Sequence, residues 1–138
     1  MNPKNEVTFK SHWWSVNLPA DWRAVEDNEC VTLSGGQFSG AVQISAARKE
    51  TGFITDEDLN EFAAERLSEK ISLSKANINA TAFTGLYAER IKNGIFWREW
   101  WLRSGSVMLY VTYNIEEKSR EAEKFLVDEI IGSLSPNG

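Results

Sequence analysis

The 138-residue sequence has one cysteine, Cys30, and one histidine, His12. A lone cysteine cannot form an internal disulfide, which fits a reducing compartment. The two residues do not support a Cys/His metal site or a Ser-His-Asp triad. We therefore expect no cofactor and no bound metal, and we nominate no catalytic residue. The sequence favours a protein that is not an enzyme.

Long apolar runs and clusters of positive charge are also missing. No segment approaches the roughly 18 apolar residues of a membrane-spanning helix, and the first ten residues lack the apolar region of a signal peptide. Fifteen basic residues stand against twenty acidic ones, giving a net charge of −5. Binding to nucleic acid or to an anionic membrane requires clustered positive charge, so we expect neither. We predict a cytoplasmic protein whose partner is another protein, with a basic protein as one candidate.

No repeat, low-complexity tract or Pro/Gly/Ser linker divides the chain. A chain of this length can bury a sizeable core without disulfides or metals. Residues 1–138 are therefore predicted to form a single domain, with flexible ends at 1–11 and 135–138.

Alternating and helical patterns predict the elements of the first half. Residues 13–18 alternate and stop at Pro19, which cannot extend a ladder of hydrogen bonds. Segments 30–33 and 41–48 are predicted to pair as a hairpin. Thr55 then begins a capping-box-like sequence, and apolar residues at helical spacing predict a helix over 56–71.

Residues 82–114 carry two turn signals between aromatic and β-branched segments. Asn93-Gly94 is the strongest short hairpin signal, and Ser104-Gly105 is a second turn candidate. If each dipeptide is a two-residue turn, residues whose numbers sum to 187 pair across the first turn. Those that sum to 209 pair across the second. The result is a three-stranded meander with large apolar groups on both faces, which indicates that something covers each face.

The last predicted element is a helix over 116–134, with Asn114 as its N-cap. Its expected apolar stripe consists of Ala122, Phe125, Leu126, Ile130 and Leu134. The fold class expected from all these elements is α+β. It has one antiparallel sheet of about six strands, in the order β-β-β-α-β-β-β-α, and helices cover both of its faces.

Residues Trp14 to Trp22 read Trp-Ser-Val-Asn-Leu-Pro-Ala-Asp-Trp, and a central helix, an aromatic meander and a closing helix follow them. This arrangement resembles the Mog1/PsbP-like family. The resemblance implies an antiparallel sheet sandwiched between helices, an α/β/α sandwich. Characterised members are binding or assembly proteins, associated with a small GTPase or with photosystem II. They offer no catalytic motif to carry over, and a fold resemblance does not specify a partner.

Two sets of residues on the meander are candidate sites. On one face Glu89 lies opposite Arg98, either as the anchor of a pocket or as a structural ion pair, and we favour the ion pair. The other face carries a candidate binding set in which Arg90 lies across from Trp97 and suggests a cation–π contact. The candidate binding set comprises Arg90, Trp97, Trp101, Met108 and Tyr110. These side chains are typical of interface hot spots, but we favour a core beneath a helix, because large aromatic side chains are usually mostly buried.

The leading hypothesis is a non-enzymatic protein-binding module of the immunity, adaptor or secretion-accessory type. The alternative is a small-ligand-binding domain that uses the Trp-rich face as an apolar wall and Arg90 or Arg98 as the polar anchor.

Overall fold

The computed structural model describes residues 6–35, 39–66, 73–76, 78 and 82–137. Strands dominate this part of the chain, and its two α-helices are short. The elements in chain order are β1 (Glu6–Lys10), β2 (Trp14–Pro19), β3 (Trp22–Glu26), β4 (Val31–Gly35), β5 (Ala41–Arg48), α1 (Asp56–Arg66), β6 (Ser74–Lys75), β7 (Thr84–Lys92), β8 (Ile95–Ser104), β9 (Val107–Glu116), a 3-10 helix (Glu117–Ser119), α2 (Lys124–Gly132) and β10 (Ser135–Pro136).

The strands form two antiparallel sheets. Seven strands follow the order β3-β4-β5-β9-β8-β7-β6, and three follow the order β1-β2-β10. The main core contains side chains from both sheets and from α2. A smaller apolar cluster joins α1 to the opposite face of the seven-stranded sheet. None of the helices in the described part of the chain is long and apolar enough to cross a membrane.

The predicted fold class is wrong, although the antiparallel pairing is confirmed. In place of one six-stranded sheet in an α/β/α sandwich, the protein has sheets of seven and three strands. The alternation of β2 identifies its buried side, where Trp14, Val16 and Leu18 enter the main core. That pattern does not reveal that β2 belongs to a separate sheet, which covers one face of the large sheet together with α2.

Both ends that we expected to be flexible contain strands where the structure describes them. Strand β1 pairs with β2 along its whole length, from Glu6 opposite Pro19 to Lys10 opposite Ser15. Strand β10 pairs with the other side of β2, with Pro136 opposite Trp14.

Helix α1 begins with the capping box that the sequence predicted. The backbone N–H of Asp58 donates to Thr55 Oγ1 at 3.1 Å, and the N–H of Thr55 donates to Asp58 Oδ2 at 2.8 Å. Asp58 also forms an ion pair with Lys49 at 2.7 Å. The helix buries Leu59 and Ala63 against the sheet. Residues 67–71 of the predicted helix lie outside the described residues.

Replacing Asp58 with asparagine is expected to remove a pH-dependent part of the stability. Hydrogen bonds from Lys49 and from the backbone N–H of Thr55 lower the pKa of Asp58 to about 2, from its ordinary value of 3.8. Because the folded-state pKa is the lower one, the carboxylate stabilises the fold above a pH of about 4, and this contribution disappears as the pH falls towards about 2. Thermal unfolding across this range should show the wild type converging on the variant. A difference that stays constant would contradict the assignment.

The first turn of the meander follows the predicted register, and the second does not. Pairs between β7 and β8 sum to 187, as in Lys92 opposite Ile95, and Asn93 and Gly94 both have positive φ, as in a type I′ turn. Between β8 and β9 the pairs sum to 211, as in Ser104 opposite Val107. The turn residues are therefore Gly105 and Ser106, with Gly105 at a φ of 57°. The register is shifted by two residues, which leaves every side chain on its predicted face.

The last predicted helix is also wrong in its bounds. Asn114 is a strand residue that pairs with Ala41 on one side and Trp97 on the other, because β9 continues to Glu116. Helix α2 buries Val127, Ile130 and Ile131. Phe125, which was expected to belong to the apolar stripe of this helix, is 84% exposed. The spacing of apolar residues that predicted one helix therefore runs across the end of a strand, a 3-10 helix and a short α-helix.

Candidate functional site

The Trp-rich face of the meander lies largely beneath α1. Trp101 is 0% exposed and packs with Leu59 and Ala63, and Met108 and Tyr110 pack at the edge of the same cluster. The indole Nε1 of Trp101 is buried and has no hydrogen-bond acceptor in the described part of the chain. Trp101 therefore belongs to the core, while the rest of the candidate binding set is half-buried.

On this face Arg90 contacts both Trp97 and the buried carboxylate of Glu99. The guanidinium carbon of Arg90 is 5.9 Å from the ring centre of Trp97, in the predicted cation–π arrangement. Arg90 Nε lies 3.0 Å from Glu99 Oε1, in an ion pair that is not aligned as a hydrogen bond. The hydroxyl of Tyr110 donates to Glu99 Oε2 at 2.5 Å. We did not identify Glu99 as the centre of this cluster from the sequence.

The second candidate pair, Glu89 and Arg98, lies on the opposite face. The two residues are cross-strand neighbours, as the predicted register requires. Their side chains are bridged by Tyr87, because Arg98 Nε donates to Tyr87 Oη at 2.6 Å and Tyr87 Oη donates to Glu89 Oε2 at 2.5 Å. The ion-pair partner of Arg98 is Asp128 on α2, with Nη2 and Oδ1 2.5 Å apart.

Burial and charge fix the protonation of this network. The Arg98 side chain is 8% exposed, and its guanidinium carbon lies 4.7 Å from the ring centre of Trp100. Burial alone lowers the pKa of Arg98, but hydrogen bonds to Tyr87 and Asp128 outweigh it and raise that pKa. Burial and the hydrogen bond to Glu89 raise the pKa of Tyr87. Arg98 is therefore a cation and Tyr87 a neutral phenol that passes its hydrogen bond on to Glu89.

These residues border a cavity of about 250 Å³ between the sheet and α2, which we name the Arg98 groove. It is lined by Ser74, Lys75, Ile78, Tyr87, Glu89, Arg98, Trp100, Asp128 and Ile131. A neighbouring hollow of about 190 Å³ shares Glu89 and is lined also by Phe96, Arg120, Glu121 and Lys124. Asp128 was not predicted to belong to this site. It is 30 positions from Arg98 in the chain, and α2 brings it to the sheet.

A larger hollow of about 420 Å³ lies on the other side of β6, next to α1. Two of its charged residues, Asp56 and Arg103, neutralise each other in an ion pair of 2.8 Å. Among the described residues no group of three or more His, Cys, Asp or Glu side chains is placed to hold a metal ion. The Arg98 groove is therefore the candidate site with the most organised polar chemistry.

Comparison with known proteins gives a fold relationship and no family. No family model matches the chain, and no curated protein matches its sequence. The resemblance to the Mog1/PsbP-like family therefore stays a prediction. A crystal structure from Bacteroides thetaiotaomicron VPI-5482 is similar, with a TM-score of 0.65 and 19% identity over 95% of this chain. The match covers 48% of that chain, so the present chain spans about half its length. Likeness at this identity shows a shared fold alone.

Proposed function

We propose that this chain is a non-enzymatic protein-binding domain, and that the Arg98 groove receives a basic side chain of the partner. The observation that carries the proposal is a pair of carboxylates, Glu89 and Asp128, that a buried arginine network holds in place at the groove. Carboxylates fixed in advance bind a guanidinium or ammonium group with little loss of side-chain entropy.

The buried position of Arg98 favours a supporting role over a ligand-binding one. Two of its nitrogens are engaged by Tyr87 and Asp128, and Nη1 is buried without an acceptor among the described residues. The carboxylates are more accessible, since Glu89 is exposed and the Asp128 side chain is 46% exposed. Each uses one oxygen in the network, Glu89 Oε2 and Asp128 Oδ1. The second oxygen of each remains an acceptor for a partner's N–H groups.

Charge and exposed apolar side chains also support a protein partner. The net charge of −5 attracts basic proteins and speeds their association. Two exposed apolar residues adjoin the neighbouring hollow in sequence or register. Phe125 follows Lys124, and Ile91 lies opposite Phe96. Large exposed aromatic and aliphatic groups beside an organised polar site are typical of contact surfaces.

Immunity, adaptor and secretion-accessory proteins are the classes that fit such a domain, and we propose a cytoplasmic location on the basis of its single free cysteine. A small-ligand-binding function has less support. Trp101, which was to form part of the apolar wall, is buried beneath α1. The Arg98 groove, at about 250 Å³, is smaller than the roughly 300–1,000 Å³ of typical ligand pockets.

Replacing Glu89 with glutamine is expected to weaken binding of a short arginine-rich peptide at least about tenfold, because a charge-assisted hydrogen bond contributes about 1.5–3 kcal/mol. The amide oxygen of the new side chain can still accept from Tyr87, so the fold should be retained. Binding is measured by NMR titration of backbone amides and the Trp100 indole, at about 0.15 M salt, where exposed charges are screened.

The matched control is Glu129→Gln, which removes the same charge from an exposed position of α2 outside the groove. This variant should bind within about twofold of the wild type, as expected for a screened surface charge. An acidic peptide of equal length should produce no saturable shifts. Equal weakening by both variants, or no saturable shifts at the groove with the arginine-rich peptide, would remove the support for the proposed site.

A further inference from the structure

Strand β1 is an edge of the three-stranded sheet. It pairs with β2 on one side, and no other described strand pairs with it. Its five residues, Glu-Val-Thr-Phe-Lys, are mostly exposed, and Val7 is 53% exposed. An unpaired edge presents backbone donors and acceptors to any strand that can align with it.

The hydrogen-bond ladder determines which backbone groups face outward. The N–H of Ser11 donates to the carbonyl of Trp14 at 2.8 Å, which makes this a hydrogen-bonded pair. Because such pairs alternate in an antiparallel ladder, Val7 and Phe9 also bond to β2. Glu6, Thr8 and Lys10 therefore direct their N–H and C=O groups away from β2. Consistently, Glu6 lies opposite Pro19, which has no N–H to donate.

We propose that β1 pairs antiparallel with β1 of a second copy of this chain, about a two-fold axis at Thr8. In this register Thr8 lies opposite Thr8 of the second copy, and Glu6 lies opposite Lys10 of the second copy, twice. The three residues with outward backbone groups then pair only with one another, as a hydrogen-bonded ladder requires. The two three-stranded sheets become one continuous sheet.

Charge complementarity selects this occupant and orientation. Opposite charges that face each other across strands stabilise a pair, and like charges destabilise it. A parallel, in-register pairing would place Glu6 against Glu6 and Lys10 against Lys10. Charged residues on an edge strand usually discourage association, but here the signs of Glu6 and Lys10 are antisymmetric about Thr8. The same arrangement places the exposed Val7 opposite Phe9 of the second copy.

The expected dimer is weak, because five residues on each side form less than the roughly 1,200 Å² of a standard interface. Sedimentation equilibrium at protein concentrations up to about 1 mM should show reversible dimer formation by the wild type. Glu6→Lys should weaken the dimer at least about tenfold, because two pairs of like charges then face each other. The reversed variant Glu6→Lys/Lys10→Glu should recover the affinity of the wild type.

A second variant tests the backbone pairing. Thr8→Pro removes an N–H that faces outward, so it should abolish the dimer while the ladder between β1 and β2 remains. Circular dichroism and the midpoint of thermal unfolding confirm that each variant is folded. A wild type that stays monomeric up to about 1 mM, or a reversed variant no tighter than Glu6→Lys, would overturn the proposal. So would a folded Thr8→Pro variant that dimerises like the wild type.

Discussion

An alanine at Gly85 is expected to lower the free energy of unfolding by about 3 kcal/mol, the upper range for overpacking. A Cβ at this position would lie 1.9 Å from the carbonyl oxygen of Trp101 and 3.0 Å from the Cα of Leu102. Both atoms are backbone atoms of β8, where Leu102 lies directly across the ladder from Gly85 and Trp101 precedes it. They cannot turn aside as a flexible side chain would, so β7 and β8 must separate. Urea unfolding of the wild type and the variant measures the effect.

The control for this prediction is Gly52→Ala. A Cβ at Gly52 would meet nothing within 4 Å, but the residue has a φ of 81°, which residues other than glycine rarely adopt. Its replacement should cost about 1 kcal/mol through backbone strain alone. If Gly85→Ala costs no more than Gly52→Ala, the close approach of β7 to β8 does not limit this position.

Replacing Glu123 with alanine is expected to cost about 3 kcal/mol, because two buried donors and one part-buried donor lose their acceptor at once. The Glu123 carboxylate is buried just before α2. It accepts from the backbone N–H groups of Ser39 at 2.8 Å and Gly40 at 3.2 Å. It also accepts from the hydroxyl of Tyr113 at 2.6 Å. The Glu123 side chain therefore links the segment before β5 to β9 and to the start of α2 through hydrogen bonds.

Two further variants serve as controls for the Glu123→Ala prediction. Glu123→Gln keeps one acceptor oxygen and should fall between the wild type and Glu123→Ala in urea unfolding. Glu121→Ala, at an exposed position, should change the free energy of unfolding by less than about 0.5 kcal/mol. A Glu123→Ala variant as stable as Glu121→Ala would contradict the anchoring role.

Local signals in the sequence were sufficient for part of the fold. Strand β5 has its predicted bounds, Ala41–Arg48, and Asn93-Gly94 specified the first hairpin and its register. The second register was shifted by two residues because Gly105 is flanked by serine on both sides. Ser-Gly and Gly-Ser are both possible turn dipeptides, and the structure places the glycine first, where the positive φ is needed.

Features that depend on distant contacts could not be read in the same way. The alternation of β2 showed which side is buried but not that it faces a second sheet. The candidate site was found in part, since the register paired Glu89 with Arg98. Its other members, Tyr87 and Asp128, were not predicted, because the register alone does not identify a bridging hydroxyl and Asp128 comes from a helix whose bounds were wrong. Glu89 and Arg98 are cross-strand neighbours, but Tyr87 bridges their side chains and the ion pair of Arg98 is with Asp128.

The joining of β2 to β10 has a consequence for the order of folding. Asn137 and Trp14, which share a hydrogen bond at this junction, are 123 positions apart in the chain, whereas the hairpins of β7, β8 and β9 close over a few residues. Contacts that close long loops form late, after local ones have limited the search. The pairing of β10 with β2 is therefore expected to form after the meander and to open first in the native state. Amide hydrogens of β2 that face β10 should then exchange with solvent faster than those on β8.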